Sequence, residues 1–177
     1  MSQLKIEFWP NFMRLALATI WIYAGVFEKL LNPGYLNPSS TSYVGITIEV
    51  LMQGPIMRPF LEYVVLPHVL LVGELVMIGE ISFGILNLLG LMTRFTNTVA
   101  FYTNLIYFLS AYWVDTEEYG INLLMMIIEL YLIYKGSQDF GLDALIRRKV
   151  KQVENAKILF LAGSVLYACV ILYLLFI

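Results

Sequence analysis

Glu80 lies in a run, Pro67 to Met92, that is otherwise almost wholly apolar, and an acid in such a place asks for a chemical reason. Gly73, Glu80, Asn87 and Arg94 stand seven residues apart, so on a helix they share one stripe, with Gly84 beside it. Three other apolar runs repeat the pattern. Asn97, Asn104 and Ala111 keep the same interval, next to Thr96, Thr103 and Ser110; Asn122 and Glu129 keep it; so do Arg14, Trp21 and Glu28, flanked by Ala18 and Gly25. At about 1.5 Å of rise per residue, Trp21, Glu80, Asn104 and Glu129 fall near the middle of their runs. This predicts one central cluster holding two carboxyls. Both cannot ionise at ease in a low dielectric, so at least one should hold a proton and exchange it. Quinone reduction consumes two protons with two electrons and needs such groups, with Glu80, Glu129 and Asn104 as the catalytic set. The plainer alternative is interhelical glue, in which both acids only hydrogen-bond Asn104, Tyr107 or helix backbones.

A second polar group should form nearer one surface, from Glu28, Lys29, His68, Glu74 and Asn122, with Arg58 from a loop. A small anionic substrate would meet Lys29, Arg58, His68 and Glu74 there, because a lysine point charge and an arginine fork suit an oxyanion. The competing reading makes Glu28-Lys29 an ordinary snorkelling helix end and leaves His68, after Pro67, at an interface. Trp9 and Trp113 read as aromatic-belt anchors. Cys169 is a lone thiol in an apolar run, and with His68 as the one histidine it argues against a disulfide framework, a CxxC pair, haem or a metal centre. No metal or haem is therefore expected, and the carboxyl pair points to quinone as the co-substrate that accepts electrons.

The elements that position these residues follow from composition. Of 177 residues, 60% are hydrophobic and 14% charged, where a soluble domain has about a quarter charged. A net charge of −2 makes a nucleic-acid partner improbable, and points to the lipid bilayer instead. Spanning helices need roughly 20 mostly apolar residues, and five segments qualify: Phe12 to Leu31, Pro67 to Met92, Phe95 to Trp113, Tyr119 to Tyr134, and Ile158 to Ile177. The first ends in Glu28-Lys29 rather than at a small-residue cleavage site, so it should remain as a span. The expected fold is an all-α membrane protein: a four-helix transmembrane bundle over 1–145 with an outer loop at 32–66, then a basic interfacial linker and fifth transmembrane helix over 146–177.

Lys5, Arg14, Arg94, Lys135, Arg147, Arg148, Lys149, Lys151 and Lys157 collect on one side of this arrangement, against Lys29 and Arg58 on the other. The positive-inside rule then puts the N-terminus in the cytoplasm and the C-terminus outside, in a multi-pass plasma-membrane protein. Tyr43, Ile46, Val50 and Leu51 recur at near-helical spacing, which predicts a short interfacial helix in the outer loop. Leu142, Leu145, Ile146, Val150 and Val153, interleaved with basic residues, predict another before the last span.

The run Arg14-Leu-Ala-Leu-Ala-Thr-Ile-Trp-Ile-Tyr-Ala-Gly25-Val-Phe-Glu-Lys29-Leu30 resembles the opening helix of the DoxX/DoxD membrane-protein family. Gly79-Glu80-Ile-Ser-Phe-Gly84-Ile-Leu-Asn-Leu-Leu-Gly90-Leu-Met-Thr93-Arg94 resembles that family's second helix and its exit, and Gly136-Ser-Gln-Asp-Phe-Gly141-Leu-Asp143 its closing motif. The Asn32-Pro33-Gly34 turn and the total length fit the DoxD branch; the fifth helix departs from the four-helix minimum and suits docking to another subunit. The resemblance implies a membrane subunit of thiosulfate:quinone oxidoreductase, which forms tetrathionate at the outer face and works with a DoxA-like partner, other respiratory subunits or further copies of itself. It gives added weight to Arg14, Lys29, Glu80 and Arg94, so that quinone is expected beside Trp21, Glu80, Arg14 and Arg94. The alternative is a non-catalytic accessory or anchoring subunit of a terminal oxidase complex. A small transporter is disfavoured by the lack of an inverted repeat.

Overall fold

A computed structural model describes residues 8–138, 140–147 and 155–177. Among these the chain is helical throughout, without strands. Helix α1 (Phe8–Ile22) passes without a break into a π-helical segment, Tyr23–Leu30. A series of turns leads to α2 (Val44–Leu51), and α3 then runs from Arg58 to Leu89. Next come α4 (Thr93–Ala111), α5 (Thr116–Lys135), the short α6 (Leu142–Arg147) and α7 (Ala156–Phe176).

Helix α1 packs on α3, α3 on α4, α4 on α5, and α5 returns to α1, closing a ring of four helices. Small residues set the spacing where the expected stripes meet. A Cβ on Gly25 would stand 2.7 Å from the backbone nitrogen of Ile81, and one on Gly84 2.9 Å from that of Ile22, so α3 and the first helix approach backbone to backbone. Helix α7 lies outside the ring against α4, with the Tyr102 and Tyr167 rings stacked at 5.4 Å and the Tyr102 and Ser164 hydroxyls 3.1 Å apart.

The interior is rich in polar side chains and the exterior is oily. Asn87, Asn97, Asn104, Glu129 and Thr93 are wholly buried, while Phe27, Ile78, Leu124, Ile127, Leu161 and Phe176 are more than half exposed. A water-soluble fold arranges these classes the other way round. Two helices, 58–89 and 156–176, are long and apolar enough to cross a membrane, and only 22% and 11% of their most apolar windows are buried within the chain. A core helix of a soluble protein would be mostly buried, so these faces await an apolar surrounding.

Two local expectations are corrected, and a third is described only in part. The second long helix starts at Arg58 rather than at Pro67, so the last part of the expected loop belongs to it; a π turn at Leu61–Val65 and a 3-10 turn at Leu66–His68 carry the chain past the proline, which has no N–H to donate. Helix α2 forms as expected but turns Val44, Ile48 and Leu51 onto Leu61 and Val65 of α3, leaving Ile46 and Val50 exposed. Between the fourth and fifth long helices Leu142–Arg147 is helical, whereas Arg148, Lys149, Lys151, Val150 and Val153, like Lys5, lie outside the described residues.

Candidate functional site

The first helix brings its inward residues round at Arg14, Leu17, Ala18 and Trp21, as a straight α-helix would, and then steps by four to Gly25 and Lys29. That step follows from the wider turn of the π-helical segment. It has a chemical result: Glu28, which a constant seven-residue interval would turn inward, is exposed, and Lys29 takes its place. The Lys29 ammonium lies 2.6 Å from Oε2 of Glu80, with the two side chains 15% and 3% exposed. On the other carboxylate oxygen, the Tyr107 hydroxyl of α4 donates to Oε1 at 3.0 Å. Tyr35, from the turns after the first helix, folds back over this pair; its hydroxyl donates to the Gly73 carbonyl at 3.3 Å, and its ring centre is 5.8 Å from the Lys29 nitrogen. Burial, with the Glu80 charge adding to it, pushes the Tyr35 phenol well above the ordinary tyrosine range, so it stays a proton donor.

Glu129 is held differently. The Asn104 carboxamide donates to its Oε1 at 2.8 Å, and the Trp21 indole faces the same carboxyl without reaching full hydrogen-bond geometry. Trp21 also meets Phe83 edge to face at 5.3 Å. Around them Leu17, Ala100, Met125 and Leu132 form a closed apolar cluster, against which Tyr107 packs. The expected central cluster thus resolves into two carboxyl sites with separate hydrogen-bond partners.

Arg14 and Arg94, expected near quinone, are engaged at the end of the bundle where α3 stops and α4 starts. Arg14 is 1% exposed and donates to the carbonyls of Asn87, Leu88 and Phe140, the last two at 2.9 and 3.1 Å. Arg94 donates to the carbonyls of Ile133, Tyr134 and Lys135, the last turn of α5. Both guanidinium groups therefore sit on the negative ends of neighbouring helices. Between them, Gly90 ends α3 in the left-handed conformation, φ 61°, which favours glycine. The Asp143 carboxylate, in the first turn of α6, accepts from the backbone of Met92 at 2.6 Å and of Thr93 at 2.9 Å, capping α4 from a distant part of the chain. Asn97 ties the same corner to α3 through Oδ1 of Asn87 at 2.9 Å. The two motifs Gly90-Leu-Met-Thr93-Arg94 and Gly136 to Asp143 are thereby joined at this corner.

The outer substrate group does not gather as expected. The Arg58 guanidinium is directed to the carbonyls of Met52 and Gln53, at 2.8 and 3.0 Å, where it holds the turn between α2 and α3. His68 is half-buried at the 3-10 turn, and Glu74 is exposed. Of the four residues expected there, Lys29 alone reaches a buried polar site. Two residues that shape the geometry carried no assigned role in the sequence reading: Tyr35, whose place depends on a loop folding back, and Asp143, which stands in the closing motif and could have been suspected from it. Among the described residues no group of three or more His, Cys, Asp or Glu side chains is arranged to hold a metal ion.

Neither the curated proteins nor the solved structures yield a match to this chain. One family model does match, described as TQO small subunit DoxD, over residues 9–177. That span holds the Lys29–Glu80 pair, the Glu129 site and the capped corner together, and the chain belongs to the DoxD family.

Proposed function

We propose that this chain is the membrane subunit of a thiosulfate:quinone oxidoreductase, as its family implies, and that the Lys29–Glu80–Tyr107 group is where its proton chemistry is done. The observation that carries this reading is the buried ion pair, 2.6 Å between Lys29 and Glu80, with a phenol on the second carboxylate oxygen. A buried acid that faces both an ammonium and a phenol has partners able to hold and pass a proton. Two thiosulfate ions each give up one electron and join through a new sulfur–sulfur bond as tetrathionate; quinone takes the two electrons and two protons. Lys29 is the anion's contact, and quinone arrives laterally from lipid on the Trp21 and Glu80 side. Glu129, with its neutral partners, holds α1, α4 and α5 together.

In this reading the five long helices span the plasma membrane with the N-terminus cytoplasmic and the C-terminus outside, which places the 32–43 turns and Tyr35 on the outer face. The exposed, apolar α7 suits a DoxA-like partner or another respiratory subunit. The test is quinone reduction by the protein purified with whatever partner accompanies it, thiosulfate as donor, following quinol and tetrathionate together. Turnover in the ratio of one quinol per tetrathionate supports the reading. Its absence with the partner restored would turn the assignment to a non-catalytic anchoring subunit.

A further inference from the structure

The Lys29–Glu80 pair places one cation and one anion in an interior that tolerates neither alone, since removing one partner leaves an uncompensated buried charge. The cation therefore always needs a counter-anion, but nothing requires that anion to be Glu80. Lys29 is the more exposed partner, 15% against 3%, and its flexible stem is rooted in the π-helical segment next to the turns that carry Tyr35. The Tyr35 ring centre stands 5.8 Å from the ammonium.

We propose that Lys29 exchanges partners: a small oxyanion arriving from the face of the 32–43 turns replaces Glu80 on the ammonium, and Glu80 takes up one proton as it is released. The balance is one anion and one proton bound: with thiosulfate, a dianion, the interior goes from neutral to one net negative charge, where without the proton it would carry two. The proton goes to Oε2, the oxygen that Lys29 leaves, while Tyr107 keeps its 3.0 Å bond to Oε1. Among the described residues, the charged and titratable groups that face Glu80 are Lys29 and Glu28 of the π-helical segment, Tyr107 of α4 and Tyr35 of the turns. Of these only Lys29 is a cation, so no other group compensates for an anion brought in. The exchange deepens the function proposed above and rests on it for the identity of the anion, thiosulfate; it would ready Glu80 as a proton donor only when substrate is present.

The experiment adds sodium thiosulfate, or the non-oxidised sulfate, to the full chain purified with its partner in weakly buffered detergent. An indicator dye reads proton uptake and calorimetry reads binding. The expected result is about one proton taken up per anion, with affinity rising about tenfold for each unit of falling pH where Glu80 starts ionised. Glu80→Gln should bind without proton uptake and without that pH dependence, and Lys29→Arg should keep both. Binding by the unaltered protein without proton uptake, uptake that persists in Glu80→Gln, or no binding at all overturns the exchange. Quinone reduction followed in the same preparations separates the two readings. Turnover with proton-free binding removes the exchange alone, whereas proton-coupled binding without turnover removes the oxidoreductase assignment alone.

Discussion

Glu80 meets an ammonium at 2.6 Å and a phenol at 3.0 Å, while Glu129 meets a carboxamide at 2.8 Å and an indole. Both carboxyls are buried in one ring of helices, and both come from the same kind of seven-residue stripe. Burial and spacing therefore do not separate the two acids; the partners do. The Glu80 group also lies under a loop residue, Tyr35, whereas the Glu129 group is enclosed by Leu17, Met125 and Leu132. The Lys29 side chain of the first group is 15% exposed, whereas Glu129 is wholly buried.

The comparison breaks most readily at the charged pair. Lys29→Met should cost about 3–5 kcal/mol of stability, because it leaves Glu80 buried without its cation, and adding Glu80→Gln should restore most of that loss. Unfolding in detergent, measured on the single and double variants, checks it; a double variant no more stable than Lys29→Met would remove the ion pair from the account. At the other site, Asn104→Leu deletes a single neutral donor to a carboxyl and should cost less, about 1–3 kcal/mol. Were it the more damaging of the two, the roles assigned to the carboxyls would have to be exchanged. Tyr35→Phe should be the mildest change, about 1 kcal/mol at neutral pH for one hydrogen bond. The sign of its pH dependence is defined. The buried phenol stays protonated in the fold above the usual tyrosine value of 10.0 while the unfolded phenol ionises, so this contribution is full below that value and fades as pH rises past it. Melting curves at increasing alkaline pH should therefore show the gap between the protein and Tyr35→Phe closing.

Much of the interior was legible in the sequence because a straight α-helix converts a seven-residue interval directly into a shared face. Gly73, Glu80 and Asn87 are buried along α3, as are Asn97 and Asn104 along α4 and Asn122 and Glu129 along α5. The pairings of Glu80 with Tyr107 and of Glu129 with Asn104 were also within reach, as the interhelical glue reading. The rest depended on departures from a straight helix or on distant chain. Lys29 replaced Glu28 because the turn widens after Ile22, and no local pattern around Pro67 announces a helix continuing through it. Tyr35 and Asp143 act through tertiary contacts, to Gly73 and to Met92 and Thr93, that spacing along one helix cannot reveal. The sequence places Arg14 and Arg94 at one end of the bundle, within reach of each other's helix termini or of lipid phosphates, but the carbonyls they take, at the ends of α3 and α5, were visible only once the helices were packed.

The most direct test of the division between the two carboxyls is to compare Glu80→Gln and Glu129→Gln in the same thiosulfate-dependent quinone reduction assay, on folded protein of equal amount. The account predicts that Glu80→Gln loses at least about 100-fold in turnover, the scale of one lost proton-transfer group, and that Glu129→Gln stays within about threefold of the unaltered protein. Equal losses in both, or a greater loss in Glu129→Gln, would contradict it.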